Sequence, residues 1–369
     1  PAESAYRKHA LSRGLVVVYK TQAEAEVEIL AVADGGEGTV DALIDSLGGH
    51  PVECRVAGPL GSETTAVYGI SGDGTTAVME MARASGITLI EAVERNPLYT
   101  STLGTGQMIA NALRRGCRTV MMGIGGSATN DGGMGMLAAL GARFYDAGDN
   151  LLVPCGESLE KVARVDLSGL MPESREARFL IACDVDNPLC GERGASYVYG
   201  PQKGADALMV ERLDRGMAVY ARALAAAAGR DCAEMPGAGA AGGLGFAFAT
   251  VFKAELRPGI ELVLDLLHFD DVIAGASLVV TGEGRMDRQT VMGKAPWGIM
   301  QRAARYEIPV IAVTGSVSDA DVLAEAGFAA VFPVVSGPCS LEYAMLPDVA
   351  AGNLRRTAEM FTRIYLLKK

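Results

Sequence analysis

The residues best suited to chemistry in this chain lie in the run GIGGSATNDGGMGMLAALG, residues 123–141. Gly123, Gly125, Gly126, Gly132 and Gly133 let backbone N–H groups turn toward an anion. Ser127, Thr129 and Asn130 add hydroxyl and amide donors beside Asp131. The pattern predicts a short buried strand at 118–122 leading in and an apolar helix from Met134 leading out. The positive end of that helix would face the same point. This is a plausible phosphate cradle, and the alternative is a glycine-rich turn required by packing alone.

Acids and cations recur at comparable places. Asp34 and Glu37 lie in DGGEG, where they can coordinate a metal ion, bind hydroxyls or cap the next helix. Asp184 and Asp186 follow the apolar run FLIAC, which puts carboxylates at the end of a buried strand. Glu283, Arg285 and Asp287 lie in TGEGRMD, with Lys294 just beyond, and Lys203 sits beside Gln202 in a glycine-flanked turn. Glu80, inside an apolar run, is either a buried, paired carboxylate or a site residue. The segment 237–245, GAGAAGGLG, matches GxGxxG formally, and 123–128 matches its GxGxxA variant. Neither completes the dinucleotide fingerprint, and no GxxxxGK[ST] loop is present.

The elements that would position these residues can be read from periodicity. Strands are expected at 27–32, 52–56, 64–70, 76–81, 142–145 and 179–185, with 162–170 as connecting structure. Helices are expected at 39–47, 108–115 and 209–228. From 273 onward strands at 277–281, 310–314 and 329–335 alternate with helices, which indicates a parallel sheet with right-handed crossovers. Residues 51–90 are hairpin-rich instead.

Composition limits the possibilities further. A chain of 369 residues exceeds what one core usually holds, so two domains are expected. The net charge of −11 argues against nucleic-acid and anionic-membrane partners, though not against a local phosphate site. No apolar run reaches membrane-spanning length and no signal peptide is visible. Seven cysteines, odd in number and without CxxC spacing, read as reduced and mostly packed thiols of a cytoplasmic protein. Three scattered histidines make a His-based zinc site improbable.

Taken together, VADGGEGT (32–39), GIGGSATNDGG (123–133), ACDVDNPLCG (182–191), YGPQKGA (199–205), GAGAAGGLG (237–245) and TGEGRMDRQTVMGKAP (281–296) resemble the type I glycerate kinase family along nearly the whole chain. The resemblance implies phosphate transfer from ATP, with Mg2+, to a hydroxyl of glycerate, the 2-hydroxyl being favoured. It implies two α/β domains. One, of residues 1–50 and 275–369, would be Rossmann- or flavodoxin-like, with a parallel sheet formed by both chain ends. The other, 51–274, would be inserted with a mixed sheet, and the active site would lie in the cleft between them.

Within those motifs, Asp184, Asp287 and Arg285 are the expected catalytic residues. Arg285 suits the glycerate carboxylate through its planar fork. Gly125, Gly126, Ser127, Asn130, Asp131, Lys203, Gly239, Gly242, Gly243 and Lys294 are expected to hold the nucleotide. Asp34, Glu37 and Glu283 are expected to hold the metal. Family chains open with a strand and a loop of the type APDSFK before the helix at which Pro1 falls; either this chain is a fragment of the natural product or the protein lacks part of the usual site, and that loop's phosphate contacts are assigned to no residue of this sequence. A kinase of another small hydroxy acid, or an inactive relative that binds phosphate ligands, are the alternatives. The oligomeric state is open.

Overall fold

The computed structural model describes residues 27–32 and 38–366. The chain divides into two units, Gly35–Leu262 and Pro1–Asp34 with Val263–Lys369.

In the first unit, eight strands are described: β1 (His50–Ala57), β2 (Glu63–Ile70), β3 (Thr76–Glu80), β4 (Thr119–Gly123), β5 (Arg143–Tyr145), β6 (Arg164–Asp166), β7 (Arg178–Ala182) and β8 (Glu255–Arg257). Six of them form one mixed sheet in the order β1-β2-β3-β4-β7-β8. The β1, β2 and β3 pairings are antiparallel, and β3, β4, β7 and β8 run parallel. Residue type explains the difference. In β1, Val52, Cys54 and Val56 are buried while Glu53 and Arg55 are exposed, the alternation of a half-covered edge strand. By contrast, β4 and β7 read TVMMG and RFLIA and are buried on both faces, as parallel strands between helices must be. The short β5 and β6 pair separately, and β6 falls in the stretch expected to be plain connection.

Helix α1 (Thr39–Ser46) buries Val40, Leu43 and Ile44. The Ile44 side chain occupies the space above Gly69 of β2, where a Cβ would lie 2.3 Å from it. Glu80, at the end of β3, accepts the Val40 N–H at 3.2 Å and holds Arg83 at 3.1 Å. The buried Glu80 is therefore a paired carboxylate that anchors a helix start. It also ties 39–46 to the mixed sheet, although the sequence grouped residues 1–50 with the C-terminal strands.

Helix α2 (Leu103–Arg114) packs on β1 and β2, α3 (Met134–Ala139) packs on α2 and β5, and α4 (Ala207–Ala228) packs on β6. Helix α5 (Ala240–Phe252) follows, and its Phe248 packs on Phe179 of β7 with ring centroids 5.4 Å apart. The backbone is irregular at its start, where Ala241, Gly242 and Gly243 have positive φ.

The second unit carries β9 (Val279–Met286), β10 (Val310–Val317) and β11 (Ala330–Pro333), all parallel, in the order β11-β10-β9. Helix α6 (Ala295–Ala304) connects β9 to β10, and helix α7 (Pro347–Leu366) places Phe361 5.9 Å from Phe332 of β11. The strand expected at 27–32 is not formed: among the described residues that stretch pairs with no strand. Strand β9 is longer than its apolar run suggested, because GEGRM continues the ladder opposite β10. A Cβ on Gly282 would lie 2.1 Å from the Val313 carbonyl oxygen, so the glycine permits close strand pairing.

Close approach makes a test. A Cβ on Gly104 of α2 would lie 1.9 Å from the Ala57 carbonyl oxygen, with no flexible group to move aside. Gly104→Ala is expected to lower the unfolding free energy by about 2 kcal/mol or more. Gly352→Ala, in α7 with nothing within 4 Å of the added atom, should raise it by roughly 0.5–1 kcal/mol. Urea titration of both variants checks the pair.

Candidate active site

The loop leaving β4 is held from beneath by Asp131, which is 0% exposed. Its Oδ2 accepts the Thr102 N–H at 2.7 Å, the Thr102 hydroxyl at 2.8 Å and the Gly135 N–H at 3.1 Å, and its Oδ1 accepts the Gly133 N–H at 3.1 Å. The Thr102 hydroxyl in turn accepts the Met136 N–H at 2.8 Å. Thr102 precedes α2, and Gly133, Gly135 and Met136 open α3. One carboxylate thus caps two helix starts, where orphan N–H groups and positive dipole ends favour an anion. Burial pushes the Asp131 carboxyl up, and the four hydrogen bonds oppose that shift.

The same loop is fastened to two other glycine-rich motifs. Asn130 donates from Nδ2 to Ser196 Oγ at 2.9 Å, and Lys203 donates from Nζ to the Thr129 carbonyl at 2.6 Å. The Gly132 N–H donates to the Gly242 carbonyl at 2.9 Å. Gly242, at φ 68°, packs its Cα face on Thr129, whose carbonyl oxygen would lie 2.0 Å from an added Cβ. An added Cβ would lie 2.2 Å from the Pro188 carbonyl oxygen at Gly239 and 2.8 Å from the Gly132 Cα at Gly243. These contacts account for Gly239, Gly242 and Gly243 as packing positions.

Above this base, beyond the carboxyl ends of β4 and β7, opens a pocket of about 350 Å³. Gly125, Gly126 and Ser127 form one wall; Cys183 and Asp184 form another. Tyr199, Gln202 and the Ala240–Ala241 turn close it, with Ile87 and Ile124 as apolar floor. Gly125 is exposed, with nothing within 4 Å of where its Cβ would be, and Gly126 adopts φ +72°. Among the described residues neither amide donates a hydrogen bond, so both are available to a ligand. The Tyr199 hydroxyl donates to Asn187 Oδ1 at 2.6 Å, which fixes the ring at the pocket edge. Asp184 is exposed, and its Oδ1 accepts the Gly259 N–H at 3.0 Å, which orients the carboxylate. Asp186 turns elsewhere and pairs with Arg193 at 3.3 Å. Burial pushes the Cys183 thiol up, away from thiolate chemistry.

Of the residues singled out from the sequence, the pocket gathers Gly125, Gly126, Ser127 and Asp184. Asn130, Asp131 and Lys203 lie behind its wall, fully or almost fully buried. Glu283, Arg285, Asp287 and Lys294 form a separate group in the second unit. There Glu283 accepts the Thr290 hydroxyl at 2.5 Å and faces Lys294 at 3.7 Å, while Arg285 pairs with Asp287 at 3.2 Å. Asp34 and Glu37 lie outside the described residues. Tyr199 and Ile87 were not singled out as ligand contacts; the motif YGPQKGA held the signal for Tyr199, whereas nothing marked Ile87. Among the described residues, no three or more His, Cys, Asp or Glu side chains cluster as a metal cage, and no helix is long and apolar enough to cross a membrane. All seven cysteines are free thiols.

A mixed α/β sheet with a ligand-sized pocket beyond its parallel strand ends, walled by a glycine loop with two available amides, defines an α/β enzyme of the phosphate-handling kind. The chain belongs to the glycerate kinase family, whose model matches residues 4–366. It is 45% identical to the glycerate kinase of Bacillus cereus (strain ATCC 10987 / NRS 248) over 357 residues, covering 96% of this chain and 92% of that protein. It is 45% identical to the glycerate 2-kinase of Escherichia coli (strain K12) over 322 residues, covering 87% and 84% of the two chains. A crystal structure described as glycerate kinase 2 from Salmonella typhimurium LT2 superposes with a TM-score of 0.83 at 45% identity, covering 92% of this chain and 88% of that one. Membership of this family makes the chain a kinase.

Lys203 gives this region a pH signature. Burial lowers its ammonium from 10.5 to about 7, against the pull of Asp131. The unfolded chain therefore binds one more proton than the folded chain between those values, and stability must rise as pH increases from about 7 toward 10.5. Lys203→Met should lose this component. Unfolding free energies measured at pH 7 and pH 9 are expected to diverge for the wild type and to converge for the variant.

Proposed function

We propose that this chain transfers the γ-phosphate of ATP to the 2-hydroxyl of glycerate, releasing ADP and 2-phosphoglycerate. The observation that supports it most is the coincidence of family membership over residues 4–366 with a pocket whose glycine wall offers two available amides. Glycerate is far smaller than this pocket. Its apolar floor and the Tyr199 ring suit a purine nucleoside, and the Gly125 and Gly126 amides suit its phosphates.

Phosphoryl transfer asks the protein for positioning, charge neutralisation and a base near the attacking hydroxyl. Asp184 is the carboxylate for that last role. It is carried at the end of a buried strand and oriented by the Gly259 N–H, so its place is set by the sheet. It would receive the acceptor proton as the hydroxyl oxygen attacks phosphorus and the bond to the ADP oxygen breaks. Arg285 and Asp287 are the expected acceptor-handling residues of the second unit, the guanidinium suiting the glycerate carboxylate.

Magnesium fits the donor chemistry. It is commonly held by one or two carboxylates together with phosphate oxygens, so it needs no cage of three protein ligands. Glu283 offers such hard oxygens, as do Asp34 and Glu37 by residue type. When bound, the ion neutralises charge on the transferred phosphoryl group.

Asp184→Asn is expected to reduce kcat by about 10²- to 10⁴-fold while the melting temperature stays close to that of the wild type. The assay couples ADP release from ATP and glycerate, with other small hydroxy acids in parallel. Product analysis by ³¹P NMR separates 2- from 3-phosphoglycerate. Turnover with another hydroxy acid in preference to glycerate, or a 3-phosphate product, would overturn the assignment of acceptor and position.

A further inference from the structure

Lys203 is 2% exposed and sits on the short 3-10 turn Pro201–Lys203. An ammonium has three N–H donors. Here one goes to the Thr129 carbonyl, and among the described residues no carboxylate lies within ion-pair distance. Two buried acceptors on the same loop, Thr129 Oγ1 and Asn130 Oδ1, also lack hydrogen-bond partners among the described residues. A buried cation with one hydrogen bond and no ion pair is an expensive arrangement. It lies directly behind the pocket: Gln202, the residue before it, lines the cavity, and Thr129 is two residues beyond Ser127 in the glycine wall.

We propose that Lys203 is a positioning cation for the phosphate end of the nucleotide, held without an ion-pair partner behind the glycine loop until an anion docks on the Gly125 and Gly126 amides. The inference rests on the pocket being the nucleotide site. Docking brings negative charge toward Nζ, which stabilises the ammonium form, so the neutral amine takes up a proton from solvent. The Nζ–Thr129 hydrogen bond then transmits that charge to the loop and fixes it against the Gly242 turn.

The charged surroundings are consistent with this. Asp131 is the carboxylate that acts on Lys203, and its oxygens are already engaged by four donors. Tyr220, from α4, faces Asp131 and donates to the Gly132 carbonyl, with its phenol pushed up by burial. Arg95 packs its backbone against Gly204, the next residue, and adds no negative charge. Asp206, three residues on, is exposed and caps α4 through the Met209 N–H. With burial holding the free Lys203 near 7, most molecules at pH 8 would carry it neutral.

The two sides of this linkage are reciprocal: a bound phosphate favours the proton, and loss of the proton weakens phosphate binding. ADP binding to the full chain, measured by titration calorimetry at pH 8 in two buffers of different ionisation enthalpy, tests it. The ADP phosphates titrate near pH 6 and contribute little there. The wild type is expected to take up more than about half a proton per ADP, and its Kd should rise by up to about tenfold from pH 8 to pH 9. Lys203→Met should bind more weakly at pH 7, with no proton uptake and a flat pH profile. Lys203→Arg, always charged, should bind without uptake.

ADP binding by the wild type with no proton uptake would overturn the inference and leave the nucleotide site standing, as would equal uptake by Lys203→Met. Should the variants fail to fold, the wild-type proton count decides alone. No ADP binding at all would overturn the pocket assignment and the inference with it.

Discussion

The buried carboxylate of Asp131 is the constraint on which the first unit depends. It cannot be left uncompensated in a fully buried place, and its donors are the Thr102 and Gly133 N–H groups just before two helices, the Gly135 N–H and the Thr102 hydroxyl. Satisfying one anion therefore fixes where α2 and α3 begin, and with them the direction in which the loop 124–133 leaves β4. The Thr102 hydroxyl closes the arrangement by bonding both the carboxylate and the Met136 amide. Removal of any member would leave the others as buried polar groups without partners.

From that anchor the pocket wall inherits its shape. The loop's second half is tied down by Asn130 reaching Ser196, by Lys203 reaching the Thr129 carbonyl and by the Gly132 amide reaching Gly242. Its first half, at Gly125 and Gly126, is left with amides that bond nothing among the described residues. A site for an anion needs both parts: donors that are available, and a support that keeps them from turning to other acceptors. The glycines divide along the same line. Gly125 has open space around it, whereas Gly132, Gly133, Gly242 and Gly243 have positive φ and neighbours too close for a side chain. A single glycine-rich sequence thus serves ligand access at one end and close packing at the other.

The second unit solves a related problem differently. Its motif GEGRM is part of a strand, and Gly282 lets β9 and β10 pair closely while Glu283 and Arg285 share one face. The side chains there are engaged with one another, Glu283 with Thr290 and Lys294, Arg285 with Asp287. Charged groups held in mutual pairs are positioned at modest cost, since each pair is partly exposed and screened.

Much of this was determined by the sequence alone. The strands β1 to β4 and β7, the helices α1, α3 and α4 with most of α2, and the βαβ alternation after residue 273 follow from hydrophobic periodicity, which is local, whereas α5 was not marked by it. The glycine loop and the acid after FLIAC were recognisable because residue type and strand end coincide, and Gly125, Gly126, Ser127 and Asp184 do line the pocket. Tertiary structure alone decided which polar residues face a ligand and which face the interior. Asn130, Asp131 and Lys203 have the chemistry of a phosphate site, yet they are buried. Ile87 and Ala241 reach the pocket without any marking of type. Strand β9 outran its apolar run because its partner β10, not its own composition, supplied the ladder. Residues 39–46 join the mixed sheet through Ile44 packed above Gly69 and through Glu80, which accepts the Val40 N–H from 40 residues away. The common reason is that burial and hydrogen-bond partnership are properties of pairs distant in the chain, whereas periodicity and residue type belong to neighbours along it.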